Sequence, residues 1–175
     1  PSEGRARLSR DHGRTWSESW PLPPTLSQPA GVEVWEGGGA KLFDPDAGVL
    51  VELWLRQIAR EGRYYNFTYY RLSRDHGRTW NAPKPLRYES GADFDPQHPL
   101  APEFLERNHG YFGNNLVRLR SGALITALAH ANAPDDPDND RRPWRMGSLC
   151  LIGRWNPAHA DYDWTAGQRV SIAPD

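Results

Sequence analysis

A ten-residue segment occurs twice in this chain, and it restricts the fold more strongly than any other sequence feature. Residues 7–16 read Arg-Leu-Ser-Arg-Asp-His-Gly-Arg-Thr-Trp, and residues 71–80 repeat these letters without a change. A Pro-Leu pair follows each copy at the same distance, at Pro21-Leu22 and Pro85-Leu86. A fixed period is typical of folds that stack copies of one supersecondary unit. The spacing of 64 residues between positions 7 and 71 therefore predicts a repeat architecture.

The repeated letters are those of a tight turn between two β-strands. An Asp side chain accepts hydrogen bonds from the amides that follow it, Ser does so more weakly, and Gly adopts positive φ without steric cost. The Trp that closes each copy is predicted to open the next strand and to bury its ring against the turn. The two Asp carboxylates belong to different repeats, so we predict structural roles and not a catalytic pair. The residues with this structural assignment are Ser9, Asp11, Gly13, Thr15 and Trp16, and Ser73, Asp75, Gly77, Thr79 and Trp80.

The shared pattern, Ser-x-Asp-x-Gly-x-Thr-Trp, resembles the Asp-box of sialidases and other BNR-repeat β-propellers. A second stretch, residues 110–125, reads Gly-Tyr-Phe-Gly-Asn-Asn-Leu-Val-Arg-Leu-Arg-Ser-Gly-Ala-Leu-Ile and is similar to a segment of bacterial sialidase-like proteins, with His130 just beyond it. The resemblance covers essentially the whole chain. It implies an all-β fold: a partial β-propeller of four-stranded antiparallel blades, six of which are expected in the intact protein.

The repeat divides the chain into three expected units. Residues 1–30 form the C-terminal half of a first blade with its connection, and residues 31–95 form a second blade with its Asp-box. Residues 96–175 form an inter-blade loop and a third blade, whose box is replaced by residues 157–162. Because propellers close with typically 4–8 blades, we expect the chain to be a piece of a longer protein.

Composition excludes several classes of function. The formal net charge is −1, with 21 basic and 22 acidic residues, and no charge asymmetry points to nucleic acid or an anionic membrane. No apolar run approaches the roughly 18 residues of a membrane-spanning helix. Cys150 is the only cysteine, so an internal disulfide is impossible, and its strand context predicts a buried, inert thiol. The family resemblance implies a secreted or periplasmic location.

The predicted topology separates short turns from long connections. The Asp-boxes share one end of the sheets with the turns at 44–48 and 121–122. The opposite end receives the connections at 21–39, 57–63, 81–110 and 129–145. Binding sites gather on loops that a rigid scaffold holds in place, so we predict the binding groove at this loop-rich end.

The candidates at the loop-rich end are polar or aromatic. Arg binds carboxylates with paired hydrogen bonds, and Glu serves as a general acid or base. The competing interpretation is a solvated loop for the charged residues and a core position for Tyr111. Substrate-binding candidates are Arg56, Arg107, His109, Asn114, Asn115 and His130, and catalytic candidates are Glu106 and Tyr111. Glu103 is an alternative acid or base, and Arg145 is a further candidate at this end without an assigned role.

No cofactor is predicted. The acidic stretch at 135–140 could hold calcium, but it lacks the Gly and the terminal Glu of an EF-hand loop, so a solvated turn is the favoured interpretation. No His/Cys cluster has the spacing of a zinc site.

Two functions are compatible with the resemblance. The first is an exo-acting glycosidase for sialic acid or a related acidic sugar; such enzymes resemble one another in three arginines, a Tyr nucleophile with its Glu, and an Asp acid/base. That set is not recognisable in this sequence. The second is a non-catalytic propeller that binds carbohydrate or acts as a scaffold. The expected partner is a glycan or a small acidic sugar.

Overall fold

The structure is a computed structural model that describes residues 4–22, 31–60, 62–88, 95, 98, 101, 108, 110–131, 146–168 and 170. Within these ranges every regular element is a β-strand, and every pairing between strands is antiparallel. The same residues include no helix of the length and apolarity that a membrane crossing requires. The expected all-β class is therefore confirmed.

The first half of the chain forms a two-stranded and a four-stranded sheet. Strand β1 (Arg5–Ala6) pairs with β2 (Trp20–Pro21). The four-stranded sheet is a meander in which each strand pairs with the next: β3 (Glu33–Asp44), β4 (Val49–Arg60), β5 (Arg63–Ser73) and β6 (Lys84–Pro85). In this meander the connections alternate between the two ends of the sheet.

The second half forms a further meander. Its strands are β7 (Gly110–Phe112), β8 (Val117–Arg118), β9 (Leu124–Ala131), β10 (Met146–Asn156) and β11 (Asp161–Ala166). Both β7 and β8 pair with β9, so together they occupy one edge position, interrupted between residues 112 and 117. The hairpin predicted around Ser121-Gly122 is present, with Gly122 at φ 87°.

One apolar core lies between the two larger sheets. The residues of β4 alternate between two faces: Val51, Leu53 and Leu55 point to this core, whereas Trp54 belongs to a second cluster on the opposite face. Side chains on alternate positions of a strand reach opposite faces of its sheet, which explains the separation. The buried members of the shared core are Val49, Val51, Leu53, Leu55, Tyr70, Leu72, Leu86, Leu124, Leu128, Leu149, Leu151 and Tyr162.

Polar contacts also join the two larger sheets. The Tyr162 hydroxyl donates to Asp44 Oδ2 at 2.6 Å, and Arg118 Nε donates to Asp44 Oδ1 at 3.0 Å. Asp44 is only 1% exposed. Burial alone would raise its pKa, but the hydrogen bonds from Tyr162 and the Asp46 amide, together with the Arg118 guanidinium, hold that pKa below its ordinary value.

The long connection predicted over residues 57–63 is wrong. Strands β4 and β5 stay paired up to Arg60 and Arg63, so a two-residue turn connects them. Gly62 has a φ of 75°, which permits so tight a reversal. The loop-rich end therefore has one long connection fewer than expected.

The expectation that each box Trp opens the next strand is also wrong. Regular pairing resumes only at Trp20 and Lys84, four residues after each Trp. Directly after each Trp, a side-chain oxygen replaces the backbone carbonyl as the hydrogen-bond acceptor. Leu8 N donates to Ser17 Oγ at 3.0 Å, and Leu72 N donates to Asn81 Oδ1 at 2.7 Å. The repeat thus includes one more position than its ten identical letters, a side-chain acceptor directly after the Trp.

Cys150 is exposed, which corrects the prediction of a buried thiol. Its neighbours Leu149 and Leu151 are 4% and 0% exposed. The side chains of a strand alternate between its two faces. Because Leu149 and Leu151 point to the buried face, Cys150 points to the opposite, exposed face.

Candidate functional site

The two Asp-boxes have the same hydrogen bonds. In the second box, Thr79 N and Oγ1 donate to the Asp75 carboxylate at 2.8 and 2.7 Å, and Gly77 N donates to Ser73 Oγ at 2.7 Å. The equivalent distances in the first box are 2.8, 2.6 and 2.7 Å. Both box glycines have a φ of 86°. Each carboxylate is saturated by its own turn, which supports a structural role.

The same hydrogen bonds control the acidity of the box carboxylates. Those from the Thr15 hydroxyl and amide lower the pKa of Asp11 to about 2. For Asp75, the Thr79 amide contributes most and its hydroxyl next, again lowering the pKa to about 2. Both values lie below the ordinary 3.8, so folding favours the ionised form.

We expect these carboxylates to make the fold acid-sensitive. A group with a lowered folded-state pKa stabilises above its ordinary pKa, and that stabilisation is lost as the pH falls through the folded value. The window here runs from about pH 4 down to about pH 2. The double variant Asp11→Asn/Asp75→Asn should have a lower melting temperature than wild type at neutral pH. Between about pH 4 and about pH 2 its melting temperature should fall less than that of wild type, as followed by circular dichroism.

The control for the acid experiment is Glu33→Gln, which removes an exposed carboxylate outside both boxes. It should retain the wild-type pH profile. A double box variant that loses as much melting temperature between pH 4 and pH 2 as wild type would contradict the assignment of this acid sensitivity to the boxes.

The histidine before each box glycine also has a left-handed backbone. His12 and His76 have φ of 57° and 59°, and both are exposed. Asn tolerates this conformation better than a residue such as Ala. A control substitution at these positions should therefore be His→Asn.

The two box tryptophans differ although their ten-residue segments are identical. Both rings lie against the box glycine, as predicted, but Trp16 is 57% exposed whereas Trp80 is half-buried. Within the part of the chain that the structure describes, Trp80 alone of these two carries a guanidinium on its ring, with Arg71 Cζ 4.5 Å from the ring centroid. The prediction of a buried ring is wrong for Trp16.

Arg71 is fixed by the four-stranded sheet. It is 3% exposed, and its Nε lies 2.6 Å from Glu52 Oε2. Lys41 Nζ contacts the other oxygen of that carboxylate at 2.7 Å, and the Trp54 ring lies 5.4 Å from Arg71 Cζ. The guanidinium is thus neutralised and stacked, so Arg71 is poorly placed to bind an external anion.

Two clefts flank the second box. One has a volume of about 360 Å³ and includes Arg71, Trp80 and Asn81 in its wall. The other, of about 410 Å³, lies between Arg78 and residues 18–21. Trp20 Nε1 donates to Gly77 O at 3.2 Å across this second cleft. This bond connects the two-stranded sheet to the box, which indicates a structural junction.

The structure gives Arg56 a role in sheet stabilisation. It lies within β4 and is 4% exposed, and its Nη1 is 2.8 Å from Glu36 Oε1. The same Glu36 oxygen accepts a hydrogen bond from Trp54 Nε1 at 3.2 Å. The predicted substrate-binding guanidinium is therefore paired inside a sheet face.

Asn114 and Asn115 contact the backbones of two different sheets. Asn115 Oδ1 accepts from Ala127 N at 2.7 Å, which replaces a ladder bond where the edge strand is interrupted. Asn114, exposed and at φ 55°, accepts from Gly39 N at 2.9 Å, which joins the interruption between β7 and β8 to the edge strand β3. Tyr111 lies in β7 and is 47% exposed.

The remaining candidates are not placed. Glu103, Glu106, Arg107, His109, Arg145 and the acidic stretch at 135–140 lie outside the described residues. His130 contributes its backbone to β9, where it pairs with Gly110 and Gly147. In the described ranges no group of three or more His, Cys, Asp or Glu side chains is arranged to hold a metal ion.

Two exposed aromatic residues at the loop-rich end escaped the sequence analysis. Trp35 is 51% exposed and Tyr64 is 65% exposed, both on the four-stranded sheet. The sequence offers one signal for Trp35, which lies two residues before the three consecutive glycines at 37–39. Residues 35 and 37 of a strand share one face, so the glycine leaves space beside the Trp35 ring.

Comparison with known proteins adds no relative. No protein-family model matches this sequence, and a search of curated proteins finds no significant match. The likeness to sialidase-like proteins therefore rests on the residues of the two boxes and of segment 110–125.

Proposed function

We propose that this chain is part of a sialidase-like Asp-box β-propeller that acts on glycans, and that the protein hydrolyses a terminal sialic acid or a related acidic sugar. Each larger sheet would be one blade, the two-stranded sheet the outer part of another, and the ligand would lie near the common axis at the loop-rich end.

The recurrence of the Asp-box geometry supports this proposal most directly. In the four-stranded meander the box connects the third and fourth strands, β5 and β6. In the two-stranded sheet an identical box connects β1 and β2. The β7–β11 sheet has the same order of strands, with a turn at 157–160 in the box position. Repeated meanders that bury their faces against one another are the expected arrangement of propeller blades.

A specific observation favours the non-catalytic alternative. Arg56 is already neutralised by Glu36, so it is not available to a sugar carboxylate without breaking a buried ion pair. A carbohydrate-binding propeller requires no such guanidinium, because amides bind the hydroxyl groups of a sugar and aromatic rings stack on its C–H face. Tyr111, exposed at the start of β7, suits either function.

The test is hydrolysis of a fluorogenic α-sialoside, with a neutral β-hexoside for comparison, by the protein that the complete open reading frame encodes. We expect turnover of the sialoside, and a loss of at least tenfold in kcat/KM for Tyr111→Phe with an unchanged melting temperature. The matched control is His76→Asn, at the opposite end of the sheets, which should retain activity.

The outcomes separate the candidate functions. Glycan binding without turnover of either substrate would favour the carbohydrate-binding alternative. Turnover that Tyr111→Phe leaves intact would retain the enzymatic proposal but exclude Tyr111 from its site. Neither turnover nor binding of a glycan would overturn the proposed function.

A further inference from the structure

The edge strand β3 holds an aromatic ring at the surface of the loop-rich end. A Cβ atom built on Gly37 would lie 2.3 Å from two carbons of the Trp35 ring, so only glycine leaves room for the ring there. The ring remains 51% exposed although it packs on the backbone. Its position is fixed by Gly37, and its outer surface is available to a ligand.

A pair of amides lies in the same row of the sheet. Gln57 is the strand partner of Trp35, and Asn66 is the partner of Gln57. Directly paired residues point to the same face, so the three side chains are neighbours. Gln57 Nε2 donates to Asn66 Oδ1 at 2.8 Å, which fixes both amides. Within the described part of the chain, this bond leaves Gln57 Oε1 as an acceptor and Asn66 Nδ2 as a donor.

The next row adds a second ring and one charge. Tyr64, the partner of Ala59, lies two residues before Asn66 and is 65% exposed, so it flanks the amide pair. Glu33, also a partner of Ala59, lies two residues before Trp35 and is exposed. Its carboxylate is the one charged group in these two rows, and it would repel an anionic ligand.

We propose that Trp35, Gln57, Asn66 and Tyr64 form a subsite for a neutral pyranose. The apolar C–H face of such a ring stacks on an aromatic side chain, while its hydroxyl groups exchange hydrogen bonds with amide donors and acceptors. This subsite rests on the proposed function in one respect, that the ligand is a glycan. The proposed subsite would bind an uncharged sugar unit of the glycan, adjacent to its terminal acidic sugar.

The experiment is saturation-transfer NMR on the 175-residue chain, with lactose and N-acetyllactosamine as probes. The signal is read on the sugar, so it is obtained whether the chain is monomeric or associated. We expect dissociation constants of about 1 mM for wild type. Trp35→Ala should weaken binding at least tenfold, about 1.4 kcal/mol, whereas Trp35→Phe should retain most of it.

The matched control is Trp16→Ala. Trp16 is 57% exposed, similar to Trp35, but it lies in the first box at the other end of the sheets, without the amide row. It should bind like wild type. Equal weakening by both tryptophan variants, or no binding of either neutral sugar by wild type, would overturn the subsite. Because the experiment measures binding of neutral sugars, a failure to hydrolyse sialosides would leave its result unchanged.

Discussion

Asp44→Ala is expected to lower the free energy of unfolding by about 3 kcal/mol, because it removes the acceptor of a buried hydroxyl and one of two carboxylates that pair with Arg118. Asp44 is 1% exposed and accepts hydrogen bonds from Tyr162 and Arg118, both of which belong to the other meander. Removing the carboxylate leaves the buried Tyr162 hydroxyl without this acceptor, and Arg118 keeps Asp46 as its remaining carboxylate partner. The measurement is urea unfolding at neutral pH, with all variants at the same protein concentration.

Asp46 supplies the matched control for this prediction. It also pairs with Arg118, but its side chain is 74% exposed. Exposed ion pairs contribute about 0–1 kcal/mol, so Asp46→Ala should unfold within about 0.5 kcal/mol of wild type. Tyr162→Phe combined with Asp44→Ala should cost less than the sum of the single changes, because both remove the same hydrogen bond. Equal effects of Asp44→Ala and Asp46→Ala would contradict the conclusion that the buried contacts of Asp44 with Tyr162 and Arg118 stabilise the packing of the two sheets.

The parts of the fold that the sequence predicts correctly are those fixed by local chemistry. The box glycines have positive φ, and the box carboxylates accept from the amides that follow them, because these interactions lie within one turn. The faces of β4 follow from the alternation of its residues. These features can be predicted without knowing which sheets pack against each other.

Features that depend on contacts between distant segments could not be predicted in this way. Arg7 and Arg71 begin identical segments, yet Arg7 is exposed whereas Arg71 is 3% exposed against Glu52 and two tryptophans. The difference arises from neighbouring strands that only the four-stranded sheet supplies. Arg56 was a binding candidate for the same reason: nothing near it in sequence indicates the ion pair with Glu36 across the sheet.

The candidate site depends on loops and long-range contacts that the sequence does not indicate. The interpretation relied on long loops, and one of them, at 57–63, is a two-residue turn. Asn115 turned out to replace a ladder bond, a role that requires the interruption between β7 and β8 to be known. The sequence alone did not indicate the Trp35 ring, because its position depends on packing against the Gly37 backbone.

An apolar row crosses the open face of the β7–β11 sheet. The strand partners Val117, Ile125 and Ile152 lie side by side on it. Val117 is 55% exposed and the two isoleucines are half-buried, whereas Leu124 and Leu151, on the opposite face, are 0% exposed. In the proposed propeller a further blade would cover this row, since blades bury their faces against one another.

The 175-residue chain by itself is therefore expected to self-associate at micromolar concentration, as apolar sheet surfaces do when nothing covers them. Ile125→Lys/Ile152→Glu places an opposite-charge pair on neighbouring strands and should raise the monomer fraction several-fold in sedimentation velocity, with less binding of an apolar dye. Trp16→Lys/Phe43→Glu introduces the same charges at exposed aromatic positions away from this face, and it should associate like wild type. A wild-type chain that sediments as a monomer without binding dye would contradict the open face. Equal dissociation by both double variants would show that added charge, and not this row, controls the association.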